Sequence, residues 1–151
     1  MEENKNISLD KLIDSPYRLA VLDTAEPERL LSLFKRQALT SGRAIYDWSP
    51  ENGLYRLGIE HIFIPRTRAP ADALAYVISS RHYGIYLLRE FDIALGKPSI
   101  HRQLTQLLEK EDKIRRLVVF LGKDIEIPAV FDSYVARLRH QIRPSQRASN
   151  T

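Results

Sequence analysis

Two nearly continuous apolar runs, Tyr83 to Leu88 (YGIYLL) and Leu117 to Leu121 (LVVFL), constrain this chain more than any other feature. A strand with one wet face alternates polar and apolar side chains, whereas an unbroken apolar strand must be covered on both faces. Each run follows a segment whose apolar residues recur at helical spacing. These are Leu74, Val77 and Ile78 before the first, and Ile100, Leu104, Leu107 and Leu108 before the second. Strands that alternate with helices imply a parallel sheet with helices on both faces and right-handed crossovers.

The remaining elements fall in around these two. Ser8 is expected to cap a short helix over Leu9 to Asp14, stopped by Ser15-Pro16. Tyr17 to Asp23 (YRLAVLD) reads as the first strand. Thr24 reads as the cap of a helix with Pro27 in its first turn and with Leu30, Leu31, Phe34, Ala38 and Leu39 facing the core. Gly42 ends that helix in a left-handed conformation. Arg43 to Trp48 is the second strand, closed by Ser49-Pro50-Glu51-Asn52-Gly53. Residues 54–69 fit either a hairpin or an irregular insertion, because the apolar spacing slips by one between Ile59 and Ile62. Pro70 starts a helix through Arg81, Ser99 caps one through Lys110, and Pro128 opens a short helix around Ala129 to Ser133. Residues 134–142 fit a helix or an edge strand, of which the strand is preferred. The expected organisation is one α/β domain over residues 8–142 with a five-stranded, mostly parallel sheet. Residues 1–7 and the basic tail 143–151 are expected to be disordered.

In a nucleotide-binding α/β protein the first strand-to-helix turn carries a glycine-rich loop whose backbone N–H groups wrap phosphate. Here that turn is Asp23-Thr24-Ala25-Glu26-Pro27-Glu28, with three carboxylates, no glycine and no lysine. The third strand ends Leu87-Leu88-Arg89-Glu90, placing an arginine about where a magnesium-binding aspartate would stand. Two independent elements of nucleotide chemistry fail together, so neither ATP hydrolysis nor a cofactor is expected.

Other chemistries find little support. The chain has no cysteine, which removes thiolate nucleophiles, thiolate metal sites and disulfides, and it has no Gly-x-Ser-x-Gly turn. Its four histidines, His61, His82, His101 and His140, are scattered without ligand spacing, so no metal is expected. Asp23, Glu90 and Asp92 are expected at the C-terminal ends of parallel strands, the usual side for ligands in open α/β sheets. They are weak candidates for a metal or an acid–base pair, and their plainer role is capping helices and loops. The net charge of +4 is carried by residues 135–151, where Arg137, Arg139, Arg143 and Arg147 stand without an acid. That is a tail property, so nucleic-acid binding is unlikely. No apolar run approaches the ~20 residues that span a bilayer, and the polar N-terminus is not expected to be a targeting peptide. A cytoplasmic protein is expected. Lys113, Arg115 and Arg116 form a mixed-charge turn with Glu109, Glu111 and Asp112, and Arg116 is expected in solvent before the fourth strand.

The succession YRLAVLDTAEPERLLSLF, RAIYDWSPENGL, GIYLLREFD and LVVFLGKDIEIPAVF resembles the N-terminal half of a group of AAA-type ATPases. These were first named as a hypothetical chloroplast reading frame and are common in cyanobacteria and other bacteria. The resemblance covers roughly residues 16–142 and implies a degenerate, three-layer RecA-like lobe. The implied strand order is 5-1-4-3-2, with the last segment beside the first strand. In that group a true AAA module follows this lobe, and this chain is expected to lack it. No catalytic residue carries over. The resemblance implies an inactive domain that binds protein, either an AAA-type ATPase or a second copy of itself. The rivals are an enzyme of unrecognised type using the strand-end carboxylates, and a nucleic-acid-associated protein using the arginine tail.

Overall fold

A computed structural model of the chain describes residues 10–59 and 62–139. Its strands are β1 (Leu19–Asp23), β2 (Ile45–Ser49), β3 (Gly53–Arg56), β4 (Gly84–Arg89), β5 (Arg116–Gly122) and β6 (Val135–Arg139). Its helices are α1 (Pro27–Ser41), α2 (Pro70–Ser79) and α3 (Pro98–Glu109), with 3-10 turns at Ala94–Gly96 and Ala129–Tyr134. Residues 10–14 form a further helical turn. The expected termini and the Ser8 cap lie outside the described residues.

The six strands form one sheet in the order β3-β2-β4-β5-β1-β6. All neighbours are parallel except β2 and β3, which form an antiparallel hairpin. The two apolar runs are therefore central: β4 lies between β2 and β5, and β5 between β4 and β1. Alternate side chains feed two separate cores. Ala20, Leu22, Ile45, Ile85, Leu87, Leu117 and Val119 meet Leu30 and Phe34 of α1 on one face. Val21, Trp48, Tyr86, Leu88, Val118 and Phe120 meet Leu74 and Val77 of α2 and Ile100 and Leu104 of α3 on the other. Burying a side chain of this size removes enough apolar surface from water to contribute about 1.5–3 kcal/mol. The two layers of helices follow directly from the lack of a wet face on β4 and β5. The parallel α/β sheet, its helices on both faces and the implied strand order are all present.

β3 adds a sixth strand to the expected five, so residues 54–69 begin as a hairpin. Gly53 turns with φ +72°, and a side chain there would meet Thr67 Oγ1 at 2.7 Å. Thr67 closes the segment. Its hydroxyl accepts the Leu54 N–H and donates to the Ile64 carbonyl, while its own carbonyl accepts the Trp48 indole N–H at 2.6 Å. Residues 62–64 return antiparallel to β3 through a single bridge between Tyr55 and Phe63. The slip in apolar spacing marks that reversal. β6 lies parallel to β1, so the strand reading of residues 135–139 holds.

Helix starts differ from expectation in one respect. The residues before the first turns are Glu26 and Lys97, with no side-chain cap, where Thr24 and Ser99 were expected. Proline at the first helical position, in all three helices, supplies the pre-set φ and removes a donor that has no partner there. Leu39 is the one predicted core residue of α1 that faces outward, at 62% exposure. No helix among the described residues is long and apolar enough to cross a membrane.

Candidate functional site

The C-terminal ends of β1, β2, β4 and β5 meet at one edge of the sheet, the position at which open α/β sheets place ligands. The turn from β1 into α1 sits at its centre, and three of its backbone donors are committed within the protein. The Thr24 N–H bonds the Gly122 carbonyl at 2.8 Å, the Glu26 N–H bonds Thr24 Oγ1, Pro27 has no N–H, and the Arg29 N–H bonds the Glu26 carbonyl. A phosphate nest needs successive N–H groups converging through a left-handed residue. The positive-φ residues among those described are Gly42, Gly53, Gly58, Arg66, Glu90 and Asp124, and none lies in this turn. The turn closes on itself and points carboxylates outward.

Arg89 ends β4 on the same face as α1. Its Nε and one terminal nitrogen fork the two carboxylate oxygens of Asp47, both at 2.9 Å. Its other terminal nitrogen lies 3.9 Å from Glu28. Burial raises the Asp47 carboxyl above its ordinary value of 3.8 against the pull of Arg89. The arginine therefore ties β4 to β2 and to the start of α1, filling the space beside the turn with a fixed ion pair. Sequence reasoning named Arg89 but missed Asp47. The available signal was an acid two residues from buried Ile45 in an otherwise apolar strand, where burial demands a cation.

The three strand-end carboxylates are not drawn into one constellation. Asp23 accepts the Asp124 N–H at 3.2 Å through one oxygen, and its other oxygen lies 3.6 Å from Arg139. Glu90 is exposed with φ +56°. Asp92 is exposed on the wall of an open cleft of about 390 Å³, with His101, Asp124 and Glu126 among its lining residues. His101 is engaged by the Leu95 carbonyl at 2.6 Å and stands edge-on to Phe131. Among the described residues no group of three or more His, Asp or Glu is arranged to hold a metal ion.

Two of the arginines counted in the basic tail belong instead to β6. Arg137 pairs with Asp132 at 3.5 Å and Arg139 with Asp23, so their charge is met on the domain itself.

Arg116 is a plain correction. It is 3% exposed, not in solvent. Its guanidinium forks Asp112 at 2.9 and 3.0 Å and donates to the Ser80 carbonyl at the end of α2. A chain turn with alternating charge reads as a wet surface, and only the fold brings the end of α2 over the start of β5.

Comparison with family models matches residues 5–140 to the SpoVK-like AAA ATPase, N-terminal domain. No curated protein matches the chain.

Proposed function

Since the chain belongs to the SpoVK-like AAA ATPase N-terminal domain family, we propose that it is a RecA-like domain without nucleotide chemistry that works by binding protein. Its partner is an AAA-type ATPase or a second copy of itself, and the finer relationship is to the ATPases first named from a chloroplast reading frame. The observation that carries this reading is the β1–α1 turn. The fold retains the scaffold on which a phosphate would rest, while the donors at Thr24, Glu26 and Arg29 are spent internally and Asp47 holds Arg89. A scaffold kept without its chemistry leaves its surfaces as the means of action. The ion pairs of Arg137 and Arg139 count against the rival reading of a nucleic-acid surface.

Sedimentation velocity tests it. The chain alone, and the chain mixed with a purified AAA module of this family, are expected to give a dimer or a complex at micromolar concentration. A chain that sediments as a monomer in both cases overturns the proposal.

A further inference from the structure

Arginines cap the carbonyl ends of three helical segments along the N-terminal edge of the sheet, and one of those segments differs from the other two. Arg18 donates to the Leu107 and Leu108 carbonyls at the end of α3, both at 2.9 Å, and Arg116 to the Ser80 carbonyl after α2. Arg115 serves the helical turn of residues 10–14 in the same way. One terminal nitrogen bonds the Leu12 and Ile13 carbonyls at 3.2 and 3.1 Å, and the other bonds the Tyr17 carbonyl. A cation there satisfies the orphan acceptors of a helix end and suits its dipole. α2 and α3 run between strands of the sheet. The turn of residues 10–14 is far shorter than the roughly 12–15 residues at which an isolated helix is marginal in water. It has no helical stability of its own.

Its attachment rests on few groups. Leu12 and Ile13 are 4% and 3% exposed and enter the core that α1 shares with the sheet, while Asp10, Lys11 and Asp14 are exposed. Asp14 pairs with Arg43 at 3.3 Å, and an ion pair in the open contributes little. Asp10 accepts from Gln37 of α1 at 3.4 Å, also in the open. Within the described residues the turn joins the fold through Ser15-Pro16 alone. Burial raises the Tyr83 phenol above its ordinary value of 10, Arg43 and Arg115 oppose that rise and Asp14 adds to it, so these groups gather around one ring just before β4. Two apolar side chains and one guanidinium hold the turn down.

We propose that residues 10–14 are a latched strap, a cover that lifts from the α1 face of the sheet and reseats as a unit while the rest of the domain stays folded, with Arg115 as its latch. Segments held by few buried contacts open below the free energy of global unfolding. Lifting withdraws Leu12 and Ile13 from the core and bares the apolar side chains they cover. The strap therefore sets whether that part of the face is closed or open. This device goes beyond the protein-binding reading and does not depend on it.

The test is amide hydrogen exchange of the full chain, read at residues 12–15 and at β5 in water and in low urea. The Ser15 N–H, bonded to the Leu12 carbonyl at 3.1 Å, reports directly on the strap. Residues 12–15 are expected to exchange at least about tenfold faster than β5 and to respond little to urea, because local opening exposes little surface. Arg115→Gln is expected to speed exchange at residues 12–15 by a further factor of about ten, the equivalent of one or two lost hydrogen bonds, and to leave β5 unchanged. Lys113→Gln, an exposed charge in the same loop, is expected to change neither. Leu12→Ser combined with Ile13→Ser frees the strap at its other attachment. That variant is expected to raise the fluorescence of the apolar dye ANS while urea unfolding stays cooperative. Exchange of residues 12–15 at the rate and urea dependence of β5 overturns the proposal. So does an Arg115→Gln effect that is absent or equal at both places, and so does loss of cooperative unfolding in the double variant.

Discussion

Replacing Arg116 by alanine separates the structure from a surface reading of the same residue. The guanidinium is 3% exposed and makes two kinds of contact. Toward Asp112 it forms a bidentate pair at 2.9 and 3.0 Å, but that carboxylate is 36% exposed, so water replaces most of what is lost there. An ion pair of this kind contributes about 0–1 kcal/mol. Toward α2 it donates to the Ser80 carbonyl from Nε at 3.1 Å, and removal leaves that acceptor unpaired, at about 1–3 kcal/mol. The aliphatic stem also leaves a space between α2 and β5, and each lost buried methylene adds about 0.8 kcal/mol. With two methylenes lost, the sum is about 3–6 kcal/mol, a large fraction of the roughly 5–15 kcal/mol typical of a domain. Asp112→Ala leaves the Ser80 contact in place and is expected to cost much less than Arg116→Ala. Urea denaturation of the two single variants and the double variant measures each term and their coupling. If Arg116→Ala lies within about 0.5 kcal/mol of the parent, as an exposed charge would, the assignment of Arg116 as the bond between α2 and β5 is refuted.

Val119→Asp places an unpaired carboxylate at a fully buried position in the middle of β5. The cost is at least several kcal/mol, and loss of soluble, folded protein is expected by expression and circular dichroism. Asp47→Ala strands Arg89 without its fork and is expected to cost about 2–4 kcal/mol. Glu28→Ala, at an 84% exposed carboxylate 3.9 Å away, should change chemical stability by under about 0.5 kcal/mol. The hydrogen bonds of Arg116 hold the Asp112 carboxyl down at about 2, below its unfolded value of about 3.9. The unfolded chain then takes up the proton first, so this contribution is complete above about pH 4 and is lost as pH falls toward 2. Thermal melts between those limits should show a flatter acid limb in Asp112→Asn than in the parent.

What was legible in the sequence depended on local pattern. β4 and β5 declare themselves because a strand covered on both faces needs no knowledge of its neighbours. The helix faces follow from spacing, apart from Leu39, which is 62% exposed; Leu31, Ile78 and Leu108 are only partly buried. The hairpin stayed open because its closure depends on Thr67, which bonds Leu54 thirteen residues away. The ion pairs were hidden for the same reason. Asp47 and Arg89 are 42 residues apart and meet only through parallel pairing of β2 and β4. Arg116 looked exposed because charge alternation marks surfaces, and its burial depends on Ser80, 36 residues away. At the candidate site the missing glycines were visible in the sequence. The internal use of the Thr24 N–H was not, since it requires Gly122 of β5 beside Thr24.

Calorimetric titration of the full chain with Mg·ATP at neutral pH tests the central claim most directly. With the donors of Thr24, Glu26 and Arg29 bonded within the protein, Pro27 offering none, and Asp47 occupying Arg89, the expected result is no saturable heat tighter than the millimolar range, roughly −4 kcal/mol. A micromolar dissociation constant, roughly −8 kcal/mol, would show that the turn opens to receive phosphate and would contradict a RecA-like domain without nucleotide chemistry.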